Sequence, residues 1–500
     1  MSEKLKQLKS ILAEVSDLES ASAVLRWDQQ TYMPPGGVSA RGNQISTLSS
    51  LAHSKFVSQE VGTLLEDLKS YAESLDPDSD EARLIEVTQR EYQKQTKVPG
   101  EYVAEFSRIT VLAQSAWEEA RKKDDFLHFQ PHLQKIVEMR RQYADFFAPY
   151  DHVYDPLLDD FEPGMKTDEV KQIFSELRPK QVKLLQAISK KPQVDDSFLH
   201  QSFAEQKQWD FGVQAITDYG YDWDRGRQDK AAHPFTTEFG VGDVRITTRV
   251  DPSFLNTALF STLHEAGHAI YEQGVSPDLE RTPLGGGASL AIHESQSRMY
   301  ENLLGRSFDF WVYFYPQLQK MFSTQLGNVD LDTFYKGINK VEPSLIRVEA
   351  DEATYNLHIM LRLELEIALM EGTLQVGELP AAWNERMEDY LGVVPPNDAN
   401  GVLQDVHWSI GILGYFPTYS LGNLVSNQLW EKINEDIPVL SSQIQSGDFS
   451  ELLAWLREHV HRHGAKFKPQ DLVNRIVGET ITPDPYLKYL NEKFGSIYQL

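Results

Sequence analysis

The 500-residue chain contains no cysteine. Disulfide staples and thiolate metal sites are therefore excluded, and any transition-metal site must draw on His, Asp or Glu. Positive charge is also in short supply: 48 Lys and Arg stand against 74 Asp and Glu, a net charge of −26. A polyphosphate partner or an anionic membrane surface would on average be repelled, so neither nucleic acid nor a membrane is an expected partner. Long apolar runs are missing too, and without a window near 18 such residues no membrane span is expected. The opening stretch MSEKLKQLKSILAEVSDLES is charged throughout and has no continuous apolar segment. It does not read as a secretory signal, and the cytoplasm is the expected compartment. Internal repeats, low-complexity tracts and flexible linkers are absent as well. Length alone would allow two to four domains, but this evenness favours one continuous, mainly helical body.

What is present is helical periodicity. Leu5, Leu8, Ile11, Leu12 and Val15 recur at three- and four-residue spacing, and the same period marks residues 82–95, 126–147 and 170–188. Pro and Gly punctuate these runs at 33–37, 161–165 and 393–398. One segment differs: Val244, Ile246, Thr248 and Val250 alternate with Asp243, Arg245, Thr247 and Arg249. Period two predicts a strand, ended by Asp251-Pro252. A small sheet is thus expected just ahead of the segment STLHEAGHAIYEQG.

That segment carries His264 and His268 four residues apart, with Glu265 beside the first. Leu259, Leu263, Ala266 and Ile270 give it a helical apolar face, and Gly274 is a plausible stop. On a helix both imidazoles can reach one ion, while Glu265, rotated by about 100°, can reach a water beside it. A catalytic site of this kind needs a third protein ligand and an open position. Glu272, Glu280, His293, Glu294 and Glu301 are the downstream candidates. Glu272 lies eight residues beyond His264, about 12 Å along the axis, too far to converge. The longer pattern with a third histidine is also missing, since Tyr271 and Gly274 stand at its Gly and His positions. The ligand should come from a second helix, which Gly285-Gly286-Gly287 and a Ser289 N-cap announce. Glu294 and its neighbour His293 are both offered there, and spacing does not choose between them.

The combination of motifs resembles the carboxypeptidase Taq family of metallocarboxypeptidases. The matching residues are His233-Pro234-Phe235, the Asp243-Arg245-Thr247 strand, His264-Glu265-Ala266-Gly267-His268, His293-Glu294-Ser295, Ile346-Arg347 through Ala350-Asp351, and Gly401 to Gln404. Residues 25–37 and 405–423 are also similar, so the likeness covers nearly the whole chain. It implies a mainly α-helical fold with a deep active-site groove and a small β-sheet next to the metal-binding helix. It implies one catalytic domain over 1–500, with 1–230 as a helical wall, 231–425 as the metal and substrate site and 426–500 as C-terminal helices. It further implies one divalent ion per subunit, zinc or cobalt, held by His264, His268 and Glu294, with Glu265 as base. Peptides with a free C-terminus are the implied substrates, and a homodimer the implied assembly.

Around this centre, His407, Tyr415 and Tyr419 are candidate donors to a developing oxyanion, and the resemblance favours His407 and Tyr419. A terminal carboxylate is best gripped by a guanidinium. Among Arg245, Arg249, Arg298 and Arg347, the motif match selects Arg347, with Asp351 one turn away to orient it. Asp243, Arg245 and Thr247 either line the groove or form an ion pair that holds the strand. His233 is expected to shape a loop and not to ligate. The rival readings are a zinc oligopeptidase or dipeptidase, and a non-catalytic helical scaffold with a vestigial site.

Overall fold

The computed structural model describes residues 3–500. Contacts divide the chain into two compact units, each assembled from three segments. The first comprises Met1–Thr96, Asp196–Ile338 and Leu429–Val477, and the second Lys97–Asp195, Asn339–Gln428 and Gly478–Leu500. Helices dominate both, as the periodicity requires.

In the first unit four helices open the chain: α1 (Glu3–Thr31), α2 (Val38–Phe56), α3 (Gln59–Glu73) and α4 (Asp80–Lys97). Their apolar stripes meet in one core, where Leu5, Leu8 and Leu12 of α1 pack with Leu64, Leu65 and Leu68 of α3 and with Leu84 and Ile85 of α4. Val275, Leu279 and Leu284 join the same core. The segment that follows the two-histidine helix is therefore anchored on the N-terminal helices. The helices expected at 126–147 and 170–188 form as Phe126–Asp145 and Thr167–Ile188, in the second unit. Side-chain caps fix several starts: Ser58, Asp125 and Ser289 accept from the backbone N–H of Val61, His128 and Ile292.

Three short strands form the sheet, in the order β1 (Gly226–Lys230), β3 (Val244–Thr248), β2 (Thr236–Glu238). β1 runs parallel to β3, and β2 antiparallel. The alternation in sequence extends to Val250, but the strand ends at Thr248, because its ladder ends where β1 ends, at the Lys230–Thr248 pair. Val244 and Ile246 are fully buried, and β2 and β3 pack on the helix Leu255–Gly274. This is the two-histidine segment, and its apolar positions Leu259, Leu263, Ala266 and Ile270 are all buried.

Candidate metal centre

His264 and His268 occupy one face of the helix Leu255–Gly274. A second helix, Leu290–Arg298, starts at the Ser289 cap and brings in Glu294. The two backbones nearly touch at Gly267: a Cβ there would stand 2.7 Å from the Gln296 carbonyl oxygen and from the Ser297 Cα. Only glycine permits that approach, and the approach is what carries Glu294 to the histidines.

The three side chains offer donor atoms that all lie within 4.8 Å of one another. Glu294 Oε2 stands 3.7 Å from His264 Nε2 and 3.6 Å from His268 Nε2. These separations are too long for hydrogen bonds. They suit atoms that share an ion: two ligands at ~2.1 Å and a tetrahedral angle stand about 3.4 Å apart. Two imidazoles and a carboxylate are also a common hydrolytic zinc set, so the residues fit a divalent ion. The imidazole side chains remain 20% and 19% exposed, which leaves solvent a way in.

Each donor is held from behind. His264 Nδ1 lies 2.9 Å from Glu301 Oε2. A carboxylate there accepts the Nδ1 proton and turns the Nε2 lone pair toward Glu294. Glu301 sits on a π-helical turn, Met299–Leu304, that continues the Glu294 helix. Arg298 spans both acids, donating to Glu294 Oε1 at 2.7 Å and to Glu301 Oε2 at 3.2 Å. His268 Nδ1 lies 3.1 Å from His293 Nδ1, and His293 Nε2 lies 2.5 Å from Glu272 Oε1.

Electrostatics follow from these neighbours. Burial pushes the His268 imidazolium down to about 4, so this ring is neutral at physiological pH. Burial opposes charge on Glu294, yet Arg298 and the two histidines outweigh it and hold the carboxyl well below its usual range. Glu265 goes the other way: burial lifts its pKa above the ordinary carboxylate value. Its Oε2 accepts a 2.7 Å hydrogen bond from Thr236 Oγ1 on β2, which ties this carboxylate to the sheet.

Asp243 and Arg245 form a paired fork, Nε and Nη2 each 2.7 Å from a carboxylate oxygen, with the guanidinium 4.5 Å over the Trp27 ring. The ion pair expected as one reading of this strand is therefore present. Arg249 and His233 are exposed. Arg298 serves the two glutamates.

In the second unit, Arg347, His407, Tyr415 and Tyr419 come together. Tyr415 and Tyr419 meet edge to face at 5.2 Å, His407 lies 5.4 Å from Tyr415, and the Arg347 guanidinium is 5.1 Å from the Tyr419 ring centre. The expectation that Asp351 orients Arg347 is corrected. Arg347 lies on a short 3₁₀ turn, not on a shared helix, and Asp351 caps the helix Glu352–Glu371 by accepting from Ala353 and Thr354 N–H. Asp405 takes the role instead: its Oδ1 accepts from Arg347 Nε at 3.1 Å and Nη2 at 3.0 Å, and its Oδ2 from Arg362 Nε at 2.7 Å. The two guanidinium groups hold Asp405 far below the usual carboxylate range against the effect of burial. Burial pushes His407 down to about 4, so it too is neutral.

Thr236, Glu301 and Asp405 escape sequence reading as orienting residues. The spacing of Glu301 offers it only as a ligand. Thr236 follows the His233-Pro234-Phe235 motif and Asp405 opens the 405–423 segment, but nothing in their spacing says which side chain they hold.

A family model described as "Carboxypeptidase Taq (M32) metallopeptidase" matches residues 7–494. Thermostable carboxypeptidase 1 of Thermus thermophilus is 41% identical over 497 residues, 97% of each chain. Carboxypeptidase 1 of Bacillus subtilis is 38% identical, over 99% of each chain. The crystal structure of an M32 carboxypeptidase from Deinococcus radiodurans R1 superposes with a TM-score of 0.97 at 41% identity, over the whole of both chains.

Two outcomes follow from this geometry. Gly267→Ala forces the helices apart, so unfolding in urea should show a loss of about 1–3 kcal/mol, and divalent-metal affinity should fall at least about tenfold. Asp405→Ala strands two buried cations and should cost about 3–5 kcal/mol at pH 7. Because the Asp405 pKa is depressed on folding, its stabilisation is present above the ordinary aspartate value of about 3.9 and is lost as pH falls toward its folded value. Urea midpoints between pH 7 and pH 3 should therefore fall less steeply in the variant than in the parent.

Proposed function

This chain belongs to the carboxypeptidase Taq (M32) metallopeptidase family and is a metallocarboxypeptidase, and we propose that His264, His268 and Glu294 hold its ion while Glu265 is the general base. The observation that carries this reading is the spacing of the three donor atoms, 3.6–3.7 Å from Glu294 Oε2 to each Nε2. Zinc is the proposed ion, one per subunit, with cobalt as the alternative. When bound, it supplies Lewis acidity, which lowers the pKa of water and polarises a carbonyl.

The chain's own residues do the rest. Thr236 Oγ1 anchors the Glu265 carboxylate through Oε2, and this carboxylate takes the proton from the attacking water and returns it to the leaving amine. A base must be ionised to work, and burial sets the Glu265 pKa nearer to neutrality than an ordinary glutamate, where transfer in both directions is easier. His407 and Tyr419 are proposed as donors to the oxyanion, supported by the family likeness and by the neutral state of His407. Arg347 is proposed to bind the substrate's terminal carboxylate, with Tyr415, Asp243 and Arg245 as further substrate contacts. Asp405 orients Arg347 in this reading. A homodimer is supported by the family likeness, and a cytoplasmic location is proposed with it.

The test is Glu265→Gln, assayed on an unblocked peptide. Release of the terminal amino acid should fall at least about a hundredfold, with the fold and the metal content unchanged. Retained activity would remove Glu265 from this role. The parent enzyme should fail on the same peptide with a C-terminal amide. Cleavage of the amide would favour an oligopeptidase reading.

A further inference from the structure

The two imidazoles of the centre are backed differently. His264 leans directly on a carboxylate, Glu301. His268 does not: its Nδ1 faces another imidazole, His293, whose far nitrogen meets Glu272. Glu272 lies on the same helix as His268, one turn further on, and its side chain is almost fully buried. Its Oε1 also accepts the Gly287 N–H at 3.1 Å. Gly287 lies in the glycine turn and leaves the space the His293 ring fills: a Cβ there would stand 2.4 Å from His293 Cδ2 and 2.6 Å from its Nε2. The glycine turn thus does more than reverse the chain.

We propose that Glu272 and His293 are positioning residues that dictate, through two successive hydrogen bonds, which nitrogen of His268 faces the metal. The logic is one of donors and acceptors. A carboxylate can only accept, so His293 Nε2 carries a proton and donates it to Glu272. With that one proton held on Nε2 by Glu272, His293 Nδ1 presents a lone pair, and the proton between the two Nδ1 atoms belongs to His268. His268 Nε2 is left as a lone pair aimed at Glu294 Oε2 and the ion site. Break the chain at Glu272 and His293 can reverse, donating from Nδ1 to His268 Nδ1. That fixes the proton of His268 on Nε2, where it blocks ligation. The relay also passes part of the Glu272 charge to His268, which makes it a stronger donor to a cation.

This inference rests on the proposed metal site, and the experiment separates the two. Zinc affinity is measured by competition with a chromophoric chelator for the parent, Glu272→Met, Glu272→Gln, His293→Phe and His268→Ala. Glu272→Met and His293→Phe should each weaken zinc binding by about 10–100-fold. Glu272→Gln keeps an acceptor oxygen for Gly287 and His293 and should restore most of the loss. His268→Ala should weaken binding further than either. If His268→Ala leaves affinity unchanged, the metal site itself is wrong. If it weakens binding while Glu272→Met and His293→Phe do not, the relay alone is wrong. Ring 15N NMR of the zinc-loaded parent needs no variant that must fold. It should find His293 protonated at Nε2 only and His268 at Nδ1 only. A proton on His293 Nδ1 would overturn the proposal.

Discussion

A histidine can present a lone pair to a cation only if its other nitrogen carries the proton, and something must hold that proton in place. The rest of the centre depends on this constraint. Glu301 satisfies it for His264 at 2.9 Å, and the His293–Glu272 pair is placed to satisfy it for His268. Glu272 is buried and Glu301 only 13% exposed, so bulk water does little for either carboxylate and each needs its own partners. Arg298 serves Glu301, and the Gly287 N–H together with His293 serves Glu272. A compact polar network results, in which the removal of one member strands another.

The fold exists, at this point, to bring two helices closer than side chains normally allow. Gly267 removes the Cβ that would meet the Gln296 carbonyl, and Gly287 removes the one that would meet His293. Beyond them, aromatic packing stiffens the π-helical turn that carries Glu301: Tyr300 lies 5.0 Å from Tyr219, which in turn lies 5.8 Å from Phe310. The sheet serves the same end on the other side of the helix, where Thr236 on β2 ties down the Glu265 carboxylate. In the second unit Asp405 plays a comparable part, a single buried carboxylate between two guanidinium groups.

Much of this is legible in the residues. Helical period placed the long helices, alternation placed β3, and the Ser289 cap and Gly274 stop marked the ends that bound the centre. The i,i+4 histidines predicted a shared face because one helix sets their relation. The choice between His293 and Glu294 was not legible, because it depends on the angle at which a second helix crosses the first. Local sequence does not encode that angle; Gly267 permits it. Asp351 misled for a related reason. Four residues of separation mean one face only inside a helix, and Arg347 lies before the helix begins. Asp405, 58 positions away in the chain, reaches Arg347 through tertiary folding alone.

The central claim is that one divalent ion sits among His264, His268 and Glu294. Anomalous diffraction from crystals of the zinc-loaded protein, recorded on both sides of the zinc absorption edge, tests it most directly. The account predicts one strong peak per chain, within about 2.0–2.2 Å of His264 Nε2, His268 Nε2 and Glu294 Oε2. A peak at other residues, or no peak at saturating zinc, would contradict it.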